Sequence, residues 1–161
     1  MQFFSRFSLL VLSVGLLPFF ANAAATASDA VSISNPYVRA VPEGQPNSAA
    51  FMTLRNNGTQ DVAIIDARSD VSDAVELHTH RMEGGMMRMR RIKQIDIKAG
   101  SETMLMPGGL HIMFIGLKQA LPAGSTISLE LLFSDGSSRK LDVPVKIVTG
   151  MKHPKGKHMP Q

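Results

Sequence analysis

Apolar and polar residues alternate along most of this chain with the two-residue period of strands, not the 3.6-residue period of helices. The pattern is plainest late in the sequence. Ile127, Leu129, Leu131 and Phe133 interleave with Thr126, Ser128, Glu130 and Leu132; after Asp135-Gly136, Leu141, Val143, Val145 and Ile147 interleave with Lys140, Asp142, Pro144 and Lys146. This predicts a hairpin with one buried face. Pro144 falls in the polar register and has no N–H to donate, which predicts that its strand lies at an edge or carries a bulge. Further strands are predicted over 31–39, 48–56, 61–68, 74–80, 86–92 and 110–117, separated by turn signals at Asn57-Gly58, Gly84-Gly85, Ala99-Gly100 and Pro107-Gly108-Gly109. There is no internal repeat and no long helical stripe. Seven or eight short strands at this spacing predict an all-β fold, a sandwich or Greek-key barrel.

The two ends depart from that pattern. Residues 1–23 read as a secretory signal: Arg6 in a short cationic start, an apolar stretch from Phe7 to Phe20, then Ala21-Asn22-Ala23 as a small-x-small cleavage site. The apolar stretch is short for a bilayer span and is interrupted by Ser13, Gly15 and Pro18, so no stable membrane insertion is expected. Export to the periplasm is the expected localisation. Residues 24–150 form the predicted β-domain, and 151–161, with two prolines and no apolar period, read as a flexible tail.

Composition narrows the chemistry. A length of 161 residues suits one domain. The chain has no Cys and no Trp, which excludes disulfides, thiol catalysis, thiolate-ligated zinc, iron–sulfur clusters, lipid attachment through cysteine and the blue-copper thiolate site. Lys and Arg number 17 against 13 Asp and Glu, a mild excess that is scattered outside the tail. Five of the eight Phe lie in the signal, leaving Phe51, Phe114, Phe133 and Tyr37 as aromatics of the body. Neither a stacking platform nor a basic stripe is present, so nucleic acid is not an expected partner.

The chemistry-bearing residues are histidine and methionine. His78, His80 and His111 lie between 78 and 111, together with Met82, Met86, Met87, Met89, Met104 and Met106, with Met113 just beyond. On a strand over 74–80, Glu76, His78 and His80 share one face, and on the next strand Met87, Met89 and Arg91 share one. Joined through a loop at 81–86, the two strands are expected to set Glu76 opposite Arg91, His78 opposite Met89 and His80 opposite Met87. His111 and Met113 add a second imidazole and a second thioether to one strand face. A centre of His78, Met89, His111 and Met113 is neutral and soft, which suits Cu(I); zinc gains little from a thioether.

Other readings compete for the same residues. A lone Met on a strand is usually core filler, the reading expected of Met104 and Met106. His80 and Met87 are auxiliary candidates, with a solvated strand residue the plainer reading of His80. Met82 is expected in a loop and Met86 packed inward beside Ile92. Glu76 with His78 and His80 could mimic a carboxylate and two-His site, but Arg91 is expected to neutralise Glu76. No Gly-x-Ser-x-Gly elbow or phosphate loop is present. In the tail, Met151, His153, His158 and Met159 form a candidate secondary site, where imidazole and backbone donors would favour Cu(II).

With ten residues between His78 and Met89, twenty-one between Met89 and His111, and one between His111 and Met113, the sequence resembles the periplasmic copper chaperone family PCuAC, whose signature has that spacing. The flanking segments Val75-Glu76-Leu77-His78, Met87-Arg88-Met89-Arg90 and Pro107 to Met113 agree, and the likeness spans about 31–148. It implies a cupredoxin-like β-sandwich that holds Cu(I) and passes it towards the copper centres of cytochrome oxidase; with no second cluster to support redox cycling, an enzyme is not expected. Acceptors would be oxidase subunits or thiol-containing copper chaperones. The tail resembles a His/Met-rich extension of some relatives that is thought to hold Cu(II). Tyr37 departs from the family, where Trp is frequent; this bears on packing, not on ligands. Two other functions share these residues: copper sequestration and buffering without a dedicated acceptor, and a metal-free β-sandwich interaction module.

Overall fold

The computed structural model describes residues 25–148; the expected signal and tail lie outside the described residues. A four-residue helix, α1 (Ala27–Ala30), leads into ten strands: β1 (Val31–Arg39), β2 (Asn47–Asn56), β3 (Val62–Arg68), β4 (Ser72–Glu83), β5 (Met86–Arg91), β6 (Ile95–Ile97), β7 (Glu102–Leu105), β8 (His111–Leu117), β9 (Thr126–Phe133) and β10 (Ser138–Lys146). The expected all-β fold is what forms. Strands run in the order β5-β4-β8-β2-β1 in one layer and β10-β9-β3-β6 in the other, joined where β1 and β10 pair in parallel at Val38–Val145 and Arg39–Lys146. Among the described residues the free edges of this path are β5 and β6.

Alternation decides which residues enter the core. The inward positions of β2, β8, β9 and β10 supply Ala50, Met52, Leu54, Ile112, Phe114, Leu129, Leu131, Phe133 and Val143, all buried. Burying two large aromatic rings and this aliphatic set is the main drive for the layers to close, at roughly 1.5–3 kcal/mol for each large side chain. β2 is long enough to serve two partners: Asn47–Ala50 pairs with β8 and Met52–Arg55 with β7. β10 touches β1 only at its last two residues, so Pro144 faces β9 on one side and no strand on the other, in keeping with its expected edge position. In β8, Gly116 has φ +67°, a left-handed conformation that favours glycine, and a Cβ there would also have to displace the exposed Asp73 carboxylate of β4.

Several expectations need correction. β4 and β5 pair His78 with Arg91, His80 with Met89 and Met82 with Met87, a register two residues away from the expected one. The cause is the turn. Gly84 and Gly85 both have positive φ, +59° and +79°, and close a two-residue hairpin of the kind that matches strand twist, so the strands run on through 81–83 where a loop was expected. Met82 is therefore a strand residue, 64% exposed, and Met86, expected inside, is 57% exposed, because the hairpin extends past the core. Met104 and Met106 are 55% and 42% exposed and are not core fillers; between them Leu105, not either methionine, turns inward. β6 and β7, three and four residues long, were not anticipated.

Candidate metal centre

The three histidines gather on the outer face of the five-strand layer. His111 opens β8 directly opposite His78 of β4, and Met113 lies opposite Glu76 on the same face. His80, two residues along β4, lies opposite Met89 of β5. All four members of the expected set thus project from one face, with His80 among them. Met87 lies opposite Met82, two residue pairs nearer the hairpin tip, and is 58% exposed.

His111 is the buried centre of this face, only 2% exposed. Its ring lies 5.8 Å from that of His78, 5.2 Å from that of His80 and 6.3 Å from Phe51, which packs in turn on Tyr37 at 5.2 Å. Lys146 Nζ lies 5.9 Å from the Tyr37 ring centroid, closing this row of side chains at the β1–β10 junction. Tyr37, the departure from the family pattern, is thus a packing residue behind the histidines.

Hydrogen bonds settle which nitrogens are available. His111 Nδ1 donates to the carbonyl of Gly109 at 3.0 Å, which leaves its Nε2 with a free lone pair. His78 Nε2 donates to Glu76 Oε2 at 2.8 Å, leaving Nδ1 as the lone-pair nitrogen. Arg91 Nη1 holds the other carboxylate oxygen of Glu76 at 3.2 Å, so the expected Glu76–Arg91 ion pair forms although the strand register differs. Among the described residues, the buried side-chain nitrogens and oxygens without a hydrogen-bond partner are Nδ1 of His78 and Nδ1 of His80. A buried polar atom without a partner is costly, and two on one face next to thioethers fit an absent electrophile.

Burial holds the His111 imidazole below the usual histidine range; the hydrogen bond to Gly109 opposes this, and His80 and His78 add to the depression by repelling a second positive charge. The ring therefore stays neutral, as a metal ligand must, under conditions where a solvated histidine would begin to protonate. The described residues hold no ready-closed cage of three His, Asp or Glu side chains, so an ion at this face would draw the rings in by side-chain rotation. The Met82–Met87–Met89 side of the hairpin is paired with a basic reverse side carrying Arg81, Arg88 and Arg90, the last of which forks onto Glu83 and holds that carboxyl below its usual range.

The burial of His80 Nδ1 was not legible: a histidine between Thr79 and Arg81 reads as solvated, and only the cover of neighbouring side chains makes that atom otherwise. Gly109 is a further functional residue that the sequence reading treated only as part of a turn. Its carbonyl selects the His111 tautomer.

Comparison with known proteins bears on the family and the fold. Residues 31–145 match the sequence model of the family described as "Putative lipoprotein LpqE-like". A relative in Leifsonia xyli subsp. xyli, named "Putative lipoprotein Lxx21020", is 38% identical over 135 residues, covering 83% of this chain and 80% of the relative. The solution structure of CuI-DR1885 from Deinococcus radiodurans superposes with a TM-score of 0.56 at 28% identity, covering 78% of this chain and 83% of that one. The copper-bound PCuAC domain from PmoF2 superposes with a TM-score of 0.64 at 21% identity, covering 76% of this chain and 97% of that domain. In sequence the chain belongs to the LpqE-like family, and its fold, a cupredoxin-like β-sandwich, is the one seen in PCuAC domains.

Proposed function

We propose that this protein is a periplasmic copper chaperone that holds Cu(I) through His78 Nδ1, His111 Nε2 and the thioethers of Met89 and Met113, and delivers it to the copper centres of a respiratory cytochrome oxidase or to a thiol-containing chaperone upstream of them. The observation that carries the reading is the pair of lone-pair nitrogens, one unpartnered and one fixed by Gly109, on a face that also presents two thioethers. Imidazole with thioether is a donor set for a soft monovalent ion. It is also suited to an oxidising compartment, where a thiol pair would close to a disulfide while thioethers persist.

Exposure supports transfer over storage. His111 is 2% exposed while Met89, on the edge strand, is 42% exposed. A partner can replace the outer thioether first while the buried imidazole still holds the ion, so the metal need never be free. For the carboxylate that orients His78, Arg91 supplies the balancing charge, and the centre stays close to neutral before metal arrives. Export rests on residues 1–23 and on a relative named as a putative lipoprotein. Among the described residues no helix is long and apolar enough to cross a membrane.

Anaerobic Cu(I) titration against a competing chelator tests the site. Replacing both Met89 and Met113 by Leu keeps most of the apolar bulk and removes both sulfurs. Affinity should fall by more than about a hundredfold with the fold retained, since even residues behind the ligands are worth about ten- to a hundredfold. Equal affinity in the two proteins would overturn the assignment. Transfer of copper from the loaded chain to an apo oxidase copper domain, faster than release to chelator alone, separates delivery from buffering.

A further inference from the structure

His80 is not needed by a two-His, two-Met centre, yet it is built into the same face. Its ring is nearer to His111 than that of His78, 5.2 Å against 5.8 Å. Its Nδ1 is buried without a hydrogen-bond partner, as is that of His78. It stands directly across from Met89, the most exposed of the expected ligands. We infer that His80 is a third imidazole of the centre, and that His78, His80 and His111 together make a Cu(II) site at the place where the proposed Cu(I) site also lies. The inference rests on the copper reading of the preceding section and extends it to the oxidised ion.

The geometry allows it. Imidazole nitrogens bind such ions at about 2.0 Å, which puts each ring centroid about 3.2 Å from the metal, so two rings on one ion are about 4.5 Å apart at right angles and about 6.4 Å apart when opposed. Both separations from His111 fall inside that interval. The nitrogens must still turn inward, and the absent partners of Nδ1 on His78 and His80 mean that no hydrogen bond is broken at those atoms when they do. The chemistry then divides the donors by oxidation state. Cu(II) prefers nitrogen donors in a tetragonal arrangement, with thioether at most a weak axial ligand, whereas Cu(I) keeps thioethers and needs fewer neighbours. Exchange of Met89 for His80, which face each other across β4 and β5, would convert one set into the other with no change of strand register. No electron transfer is required, because the oxidised ion binds as such.

The consequence is that the protein accepts copper in either oxidation state without help from the tail, where His153 and His158 offer the competing explanation for any Cu(II) bound. The test adds one equivalent of Cu(II) to the full chain and records its electron paramagnetic resonance spectrum and its affinity against a competing chelator. The wild type and the His153→Ala/His158→Ala variant should both show three nitrogen couplings. His80→Asn should lose one coupling and at least about tenfold in Cu(II) affinity, while Cu(I) affinity stays within about threefold and near-ultraviolet circular dichroism is unchanged. The inference is overturned if His80→Asn leaves the Cu(II) spectrum intact, if the tail variant abolishes it, if the wild type binds no Cu(II), or if His80→Asn weakens both ions equally. The Met89→Leu/Met113→Leu protein separates this from the underlying reading: unchanged Cu(I) affinity there sinks the Cu(I) site and leaves the His80 result to stand or fall on its own spectrum.

Discussion

Burial and a carbonyl partner act in opposite directions on the His111 imidazole, and burial wins. An unfolded chain takes up a proton at this histidine near its ordinary value of 6.5, while the folded protein does so only at lower pH. Between those two points the unfolded state binds more protons, so stability rises with pH. The contribution is complete above the unfolded value and is lost as pH falls through the folded one. Urea denaturation of the metal-free protein from pH 8 to pH 5 should therefore show a falling midpoint below about 6.5. His111→Leu removes the titrating group and should flatten that fall; an undiminished slope in the variant would place the effect elsewhere. The same residue marks a limit of sequence reading. The period-two pattern puts His78 and His80, Met87 and Met89, and His111 and Met113 on common faces, since alternation is a property of each strand alone. It carries no information on how deeply a polar face is covered, and so Phe51 and Tyr37 behind His111 were unforeseen, as were the exposed positions of Met104 and Met106.

At the scale of elements, the β4–β5 hairpin shows where such reading fails. Alternation reveals a strand when one side is buried, but the outer half of this hairpin projects past the core and has Met82, Met87 and Met89 on one side and Arg81, Arg88 and Arg90, with Met86, on the other. Arg81-Met82-Glu83 consequently resembles a loop, and the register follows from two glycines instead of from hydrophobic pattern. β6 and β7 escape for a simpler reason, as three or four residues are too few to display a period. The turn is a point of control for the site. In Gly84→Val/Gly85→Val each new side chain meets a left-handed backbone at a cost of about 1–2 kcal/mol, enough to favour a wider loop. A one-residue slip would turn Met89 to the arginine side. Cu(I) affinity should fall by about tenfold or more through the loss of that ligand. Thermal unfolding of the two-layer core should move by only a few degrees. Wild-type affinity in this variant would show that Met89 is not held by the hairpin register.

The whole molecule is held together away from the metal face by a different kind of contact. Asp135, in the β9–β10 turn, accepts a hydrogen bond from Ala27 N at 2.6 Å through one oxygen and from Ser137 N and Oγ at 3.0 and 2.6 Å through the other. The Ala27 bond, more than the others, holds its carboxyl below the usual range, so this contact is present above the ordinary aspartate pKa and is lost as pH falls through the depressed one. Asp135→Ala should cost about 1–3 kcal/mol in chemical denaturation. Copper affinity should be unchanged, because the Ala27–Asp135 contact lies at the β9–β10 turn while the metal face is built on β4, β5 and β8. A variant that lost both would mean that the two ends of the sandwich are coupled. The layered architecture itself was legible, since Phe114, Phe133 and the alternating leucines dictate two apolar faces. The joint between the layers, a parallel contact of only two residue pairs, leaves no trace in local sequence.

One feature of the strand order sets how the loaded and empty proteins should differ in motion. β5 is an edge strand: it pairs with β4 alone, and all six of its residues are exposed. Such a strand can detach at far lower free energy than the domain unfolds. Met89 rides on it while His78 and His111 belong to interior strands. Copper bound across these strands would act as a staple, so the cargo itself would complete the sheet. In amide hydrogen exchange, the β5 residues of the empty protein should open quickly and independently of the core, and Cu(I) should slow them selectively while Phe114 and Leu129 hardly change. Equal protection of β5 with and without copper would show that the edge is already fixed. If it is not, release of the metal and loosening of this strand are a single event, and an acceptor that pairs with the open edge of β5 would draw copper out by the way it docks.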